Sequence, residues 1–317
     1  MRFSIENDIR IAEIPVEDFR VIYYDGKKKS MGKNRCTGGF FGGYKSDEGE
    51  KFTFPAGHLV ADFEAESDTA RFYCSEWGRF QGDKFILDSS THEYMNQFYG
   101  NSITTLTVAN GHAQVSDVFS LPSGCDYAIT GVPIMRQGQD VKFATYVKGQ
   151  GWTGSSLYGT WHVFVGIKER NATTVYVMAM QTKTGNMILS AEAYKKFKIL
   201  GFYDVIKLDG GGSFYWNVNG KAESTLENRR ICTIIDMGEL DTSGNPYPAP
   251  TRALRKGSKG DDVKWLQWEL NAHGFVCAID GSFGCDTDKQ LRAYQKANGL
   301  SVDGSCGPAT RASLLGK

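Results

Sequence analysis

The chain has 317 residues, with 36 basic and 36 acidic side chains and a formal net charge of zero. That length admits one large domain plus a small one, and the balanced charge argues against nucleic acid as a partner. No apolar run of ~18 residues occurs, so no membrane span and no membrane partner are expected. An aromatic content of 13% suits sugar-binding faces as well as a β-rich core.

The first residues, Met1-Arg2-Phe3-Ser4-Ile5-Glu6-Asn7-Asp8, show no basic stretch followed by an apolar core, so no signal peptide is expected. Short alternating runs then recur at Ile9–Ile14, Phe19–Tyr24, Leu59–Phe63, Ile103–Val108, Val141–Val147 and Thr160–Ile167, with Gly, Asp and Asn turns between them. Thr173–Met180 reads as a buried strand. Ser190 is placed to cap a helix whose inner face is Ala193, Phe197 and Leu200 and which stops at Gly201. Val205-Ile206-Lys207-Leu208 follows as a second strand, predicting a β-α-β unit with parallel strands. The fold class is α+β: a β-rich mixed sheet with few helices, followed by a small three-helix C-terminal domain.

At the end of that second strand stands Asp209-Gly210-Gly211-Gly212-Ser213. Ligands bind outside the carboxyl ends of strands in open sheets, and successive glycines let several N–H donors converge on a developing oxyanion. Asp209 is the first candidate acid/base; a tight turn with Asp209 bonding its own loop is the alternative reading. Acid/base chemistry commonly pairs two carboxyl groups. Glu76, beside Trp77 and Gly78, ranks first for the second role, ahead of Glu64 and Glu66. His162 is a further candidate acid/base. Trp152, Trp161 and Trp216 are candidates for stacking on sugar rings, against a default of burial. The five histidines lack metal-ligand spacing, so neither a metal nor another cofactor is expected. Seven cysteines, an odd number without CxxC pairs, fit a reduced chain better than a disulfide framework.

Asp241-Thr242-Ser243-Gly244-Asn245-Pro246-Tyr247-Pro248-Ala249-Pro250 is polar and then proline-rich, and reads as a semi-rigid spacer. The expected organisation is therefore a catalytic domain over 1–243, a linker over 244–251 and a C-terminal domain over 252–317. The tail repeats itself. Asp280-Gly281-Ser282-Phe283-Gly284 with Thr287 and Leu291 returns as Asp303-Gly304-Ser305-Cys306-Gly307 with Thr310 and Leu314. Each block is turn chemistry that should open a helix: Asp286 or Thr287 is placed to cap the first, and Gly307-Pro308 to start the second. Val263, Leu266 and Leu270 mark an earlier helix.

With Leu254-Arg255-Lys256-Gly257-Ser258, Val263-Lys264-Trp265-Leu266-Gln267 and Tyr294-Gln295, this repeat resembles the peptidoglycan-binding domain family of bacterial and phage wall hydrolases. The first domain resembles the phosphodiester glycosidase family. The resemblance is carried by Lys207–Ser213 with Asn219-Gly220-Lys221, and by Thr37-Gly38-Gly39-Phe40-Phe41, Ala128-Ile129-Thr130-Gly131-Val132-Pro133 and His162–Ile167, in the family's order. It implies cleavage at a sugar anomeric carbon. The candidate substrate-binding residues are Gly210, Gly211, Gly212, Ser213, Thr37, Gly38, Trp161 and Trp216. Two positions depart from the family, which usually has Asn at Thr37 and Arg at His162; His lacks the bidentate fork of Arg.

Together the resemblances imply a phage-type endolysin. Its partner would be bacterial peptidoglycan or an attached wall glycopolymer, and it would stay in the host cytoplasm until holin-mediated release to the wall. The alternatives are a non-enzymatic wall-binding or host-recognition protein on a degenerate glycosidase fold, and an amidase or peptidase acting on the stem peptide.

Overall fold

The computed structural model describes residues 1–6, 8–27, 31–39, 41–45, 51–55, 59–63, 71–74, 79–81, 84–86, 102–118, 121–141, 161–181, 189–218, 220–225, 230–239 and 245–316. Two large sheets dominate. The first has seven strands in the order Arg2–Glu6, Ile9–Pro15, Thr174–Gln181, Trp161–Ile167, Asp204–Gly210, Val132–Arg136 and Gln139–Asp140, each antiparallel to its neighbours. The second has ten strands and is mixed, because Arg20–Lys27 runs parallel to Leu59–Phe63. Fold class is therefore as the sequence implied: mostly β-sheet with few helices.

Side-chain alternation explains how the sheets stack. In the Trp161–Ile167 strand, Val163, Val165 and Ile167 enter the core between the sheets, where Val21, Leu59, Leu106 and Ile235 meet them. Phe164 points the other way, into a second cluster with Met178, Met180, Val205, Ala193 and Phe197. Both faces of the first sheet are thus covered, and its central strands read as continuous apolar runs rather than alternating ones.

The second cover is helix α1, Leu189–Ile199. Ala193 and Phe197 are fully buried and Leu200 packs beside them, the expected inner face. Phe197 meets Phe164 and Phe202 edge-on at 5.0 and 5.6 Å. The Phe202 N–H returns to the Phe197 carbonyl just past Gly201, closing the helix end. Ser190 lies inside the first turn rather than ahead of it, which corrects its placement as the cap. The two strands joined through α1 are parallel, yet they do not touch: Trp161–Ile167 lies between them, antiparallel to both. Of the expected Val141–Val147 strand, all but Val141 falls outside the described residues.

The tail forms three helices, α2 (Asp261–Ala272), α3 (Cys285–Ala297) and α4 (Pro308–Leu314), around Leu254, Val263, Leu266, Leu270, Phe283, Leu291 and Tyr294. The repeat in the sequence is a repeat in structure, and its organiser is a buried glutamine. Gln267 Nε2 donates to Asp280 Oδ1 at 2.8 Å, to the Ser282 carbonyl at 3.1 Å and to Thr287 Oγ1 at 3.1 Å, while its Oε1 accepts from Gly281 N at 2.9 Å. Gln295 does the same with Asp303 at 2.8 Å, Ser305 at 3.0 Å, Thr310 at 3.3 Å and Gly304 N at 3.0 Å. Each Asp also accepts the N–H two residues on, from Ser282 and Ser305. The Asp, Gly, Ser and Thr of the motif are thus all used in holding two loops.

This clasp corrects the expected cap. Thr287 is held against Gln267 and Ser282, and α3 opens at Gly284 with no side-chain cap. Gly307 and Pro308 open α4 as anticipated. The proline-rich spacer also differs from expectation over the part described. Asn245 Nδ2 donates to the Trp265 carbonyl and to Glu269 Oε1, both at 3.0 Å, and Tyr247 packs on the tail's core. From Asn245 onward the segment is docked on α2. Val276, in the turn after α2, packs against the core between the two sheets.

Candidate active site

The Asp204–Gly210 strand carries the candidate carboxylate, and its pairing with Trp161–Ile167 is irregular there. His162 pairs with Gly210 and Phe164 with Lys207, so Val163 alone faces both Leu208 and Asp209. This is a β-bulge, a device that re-aims a side chain and is frequent beside active sites. The Asp209 N–H crosses instead to the carbonyl of Gly38, just past the Arg35–Thr37 strand of the other sheet, at 3.1 Å. Asp209 is half-buried, and its Oδ1 accepts the Gly210 N–H at 2.8 Å. That bond within its own loop is the alternative the sequence left open.

The glycines that follow have separate reasons. A Cβ on Gly210 would strike the Trp161 carbonyl oxygen, so the two strands approach this closely only with glycine there. Gly211 has φ of +54°, in the left-handed region, and starts a 3-10 turn over Gly211–Ser213. That turn delivers the chain from the first sheet to the Tyr215–Val218 strand of the second.

Thr37 clamps the turn. Its buried hydroxyl donates to the Ser213 carbonyl at 2.6 Å and accepts from Tyr215 N at 2.9 Å. Thr37 is thereby corrected from a ligand-facing group to one that holds the loop. Ser213 is itself buried. Gly38 and Gly39 are anchored in turn by Thr233, through its carbonyl and its hydroxyl at 2.9 and 2.8 Å. Gly131 packs against the Lys207 carbonyl with no room for a side chain. The four dispersed segments carrying the glycosidase resemblance therefore converge: Thr37 and Gly38, Gly131, and His162 all meet the Lys207–Ser213 stretch.

The remaining candidates separate. His162 is adjacent to Gly210 but only 1% exposed, so it packs under the loop rather than lining its solvent side. Trp216 is 2% exposed, in the core 6.3 Å from Phe3, and this burial removes it as a sugar platform. Trp161 stays half-exposed. It stacks on Phe214 at 4.5 Å with an interplanar angle of 10°, and the Arg10 guanidinium lies 4.7 Å from its ring centre. Arg10 is fixed by Glu223, with Nη2 to Oε2 at 2.8 Å. Glu76, Glu64, Glu66 and Trp152 lie outside the described residues. No group of three or more metal-ligating side chains occurs among the described residues.

Lys207 was not singled out by the sequence reading as a functional residue. It is 1% exposed, and its Nζ donates to the Leu208 carbonyl at 3.0 Å. Burial lowers its ammonium to about 8, against a partial opposing effect of the Asp209 carboxylate. The available signal was a lysine in an otherwise apolar strand. Arg10, Glu223 and Thr233 carried no comparable signal, because their partners are distant in sequence.

Comparison with known proteins places the tail. Residues 259–314 match the peptidoglycan binding domain family. The chain is 48% identical over 56 residues to the N-acetylmuramoyl-L-alanine amidase CwlM of Mycobacterium tuberculosis (strain ATCC 25618 / H37Rv), covering 17% of this chain and 14% of that protein. It is 44% identical over 97 residues to the N-acetylmuramoyl-L-alanine amidase CwlL of Bacillus licheniformis, covering 30% and 26%. The chain thus spans about a quarter or less of these relatives' lengths. Among solved structures, the zebrafish N-acetylglucosamine-1-phosphodiester alpha-N-acetylglucosaminidase catalytic domain, auto-inhibited by pro-peptide, is 16% identical with a TM-score of 0.46, over 75% of this chain and 81% of that one. The C-terminal module is therefore similar to peptidoglycan-binding domains over residues 259–314.

Proposed function

We propose that the protein is an endolysin-type wall hydrolase that cleaves a glycosidic bond in peptidoglycan or an attached wall glycopolymer, with Asp209 as the reacting carboxylate. The observation that carries this reading is the bulge that lifts Asp209 out of strand pairing beside a Gly-Gly-Gly-Ser turn. The bond class is supported by the resemblance of those segments to phosphodiester glycosidases. The target is supported by the tail. In this reading Asp209 serves as acid/base at the anomeric centre. Thr37, Thr233 and Gly210 hold its loop, and Trp161 forms one wall. Glu76 is the proposed second carboxyl, and the place of action is the bacterial cell wall.

A second reading, amide cleavage in the stem peptide, is favoured by the similarity to two N-acetylmuramoyl-L-alanine amidases. Product analysis separates the two. Purified walls are incubated with the wild type and with Asp209→Asn, and new reducing ends and new amines are quantified. Reducing ends that vanish in the variant are expected. New amines without reducing ends would establish the amidase reading, and no product with retained wall binding would mark a binding protein.

A further inference from the structure

Side chains alternate along a strand, so Arg10 falls on the same face of Ile9–Pro15 as Ala12 and Ile14, which enter the core between the two sheets. Arg10 lies opposite Ala179 and Ala179 opposite Val163, so two strand spacings, about 10 Å, separate its backbone from the Trp161–Ile167 strand. A long side chain is needed to span that gap, and the Arg10 guanidinium does so, lying 4.7 Å from the Trp161 ring centre. Glu223 comes from the other sheet, on its end strand Lys221–Ser224. Arg10 Nε and Nη2 donate to Glu223 Oε1 at 3.1 and 3.0 Å, and Nη2 lies 2.8 Å from Oε2. The pair therefore joins the two sheets beside the indole.

This cluster adjoins the Asp209 loop at two points. Phe214, stacked on Trp161, directly follows the Gly211–Ser213 turn. The Trp161 carbonyl is the atom that leaves Gly210 no room for a side chain. With Phe214 on the indole and a guanidinium over it, Trp161 is a bed for Arg10 rather than an open stacking platform. The pair is not sealed in, because the Arg10 and Glu223 side chains are 21% and 40% exposed. An ion pair wetted to that degree contributes little to stability. Its hydrogen bonds leave from Nε and Nη2, so the Nη1 side of the guanidinium is turned away from Glu223.

We propose that Arg10, Glu223 and the exposed part of Trp161 form a subsite for one uncharged sugar ring of the substrate, next to the bond cleaved at Asp209. The proposal rests on the reading of Asp209 as the reacting carboxylate of a glycan-cleaving site. The chemistry of the pair selects the ligand class. A fixed guanidinium donates and a fixed carboxylate accepts side by side, which matches neighbouring hydroxyl or acetamido groups on one pyranose. The two charges cancel, and an anionic group brought to Arg10 would be repelled by the Glu223 carboxylate on the same guanidinium. Holding Arg10 on an aromatic bed removes rotamer freedom before the sugar arrives, so less is lost on binding.

The test is a titration of the full chain, wild type and Asp209→Asn, with a soluble β-1,4-linked N-acetylglucosamine trimer. The Trp161 indole N–H and the Arg10 Nε–H are followed by NMR, which separates this site from sugar bound at the tail. Both signals should shift saturably, and inorganic phosphate should leave them in place. Arg10→Met should weaken the trimer's affinity by roughly 10- to 100-fold. Glu223→Gln, which keeps the shape, carries the same test if Arg10→Met does not fold. Reversing both charges, Arg10→Glu with Glu223→Arg, restores an ion pair between the sheets but exchanges donor and acceptor, and should not restore affinity. Signals that stay fixed through millimolar trimer, unchanged affinity in a folded single variant, or full recovery in the double reversal would overturn the proposal. Trimer bound at these signals without reducing ends from walls would uphold the subsite while the glycosidase reading fails. Reducing ends released from walls with these signals fixed would do the reverse.

Discussion

Two glycine-rich loops of this protein look alike in sequence and are used differently. The tail's Asp-Gly-Ser loops spend their polar atoms internally: each Asp, Ser and Thr is bound to a buried glutamine or to its own backbone. The Asp209 loop is held from outside, by Thr37, Gly38 and the Trp161 strand, and leaves Asp209 half-buried. A motif that repeats with its partners inside itself is scaffold. One that occurs once, with its supports brought from distant segments, is where chemistry is to be sought.

That contrast is sharpened by disabling each loop separately. Gln295→Ala removes three donor bonds and leaves the Gly304 N–H without its acceptor. It should destabilise the tail by roughly 2–4 kcal/mol. Thermal unfolding should show this, with loss of wall binding and unchanged hydrolysis of soluble wall fragments. Gly210→Ala forces a methyl group against the Trp161 carbonyl and should cost about 1–3 kcal/mol. Here the first domain should unfold earlier, and hydrolysis should fall while wall binding persists. Thr37→Val keeps the shape but removes the hydroxyl shared by Ser213 and Tyr215. A loss of about 1–2 kcal/mol is expected in denaturant titration.

The smallest effect concerns Glu269. Burial raises its carboxyl, with the Asn245 hydrogen bond and His273 pulling the other way. A raised folded-state value means that its contribution is fully present below the unfolded value, and is lost as pH rises through the folded one. Glu269→Gln should therefore raise tail stability near pH 7 by less than about 1 kcal/mol and flatten its dependence on acid pH. Parallel melting curves at pH 4 and 7 check it.

Much of this architecture was legible in the chain. The strands at Ile9, Leu59, Ile103 and Trp161 follow from β-branched and aromatic runs, and α1 and the tail helices from their apolar spacing. The bulge at Asp209 was not legible, because it is a register event between strands far apart in sequence. Neither was the difference between Trp161 and Trp216: both lie in apolar strands, and only the stacking of the sheets decides which ring is enclosed. The glutamine clasps escaped for a simpler reason. Gln267 reaches 13 residues forward to its Asp and Gln295 only 8, so the organisers do not share the spacing of the motif they organise.

The proposal that wall binding belongs to the tail and hydrolysis to the first domain is tested in one sample. Insoluble walls are incubated with Asp209→Asn, then spun down; bound protein is measured in the pellet and new reducing ends in the digest. The account predicts wild-type binding with reducing ends lowered by roughly 10²- to 10⁴-fold. Reducing ends at the wild-type rate would contradict it.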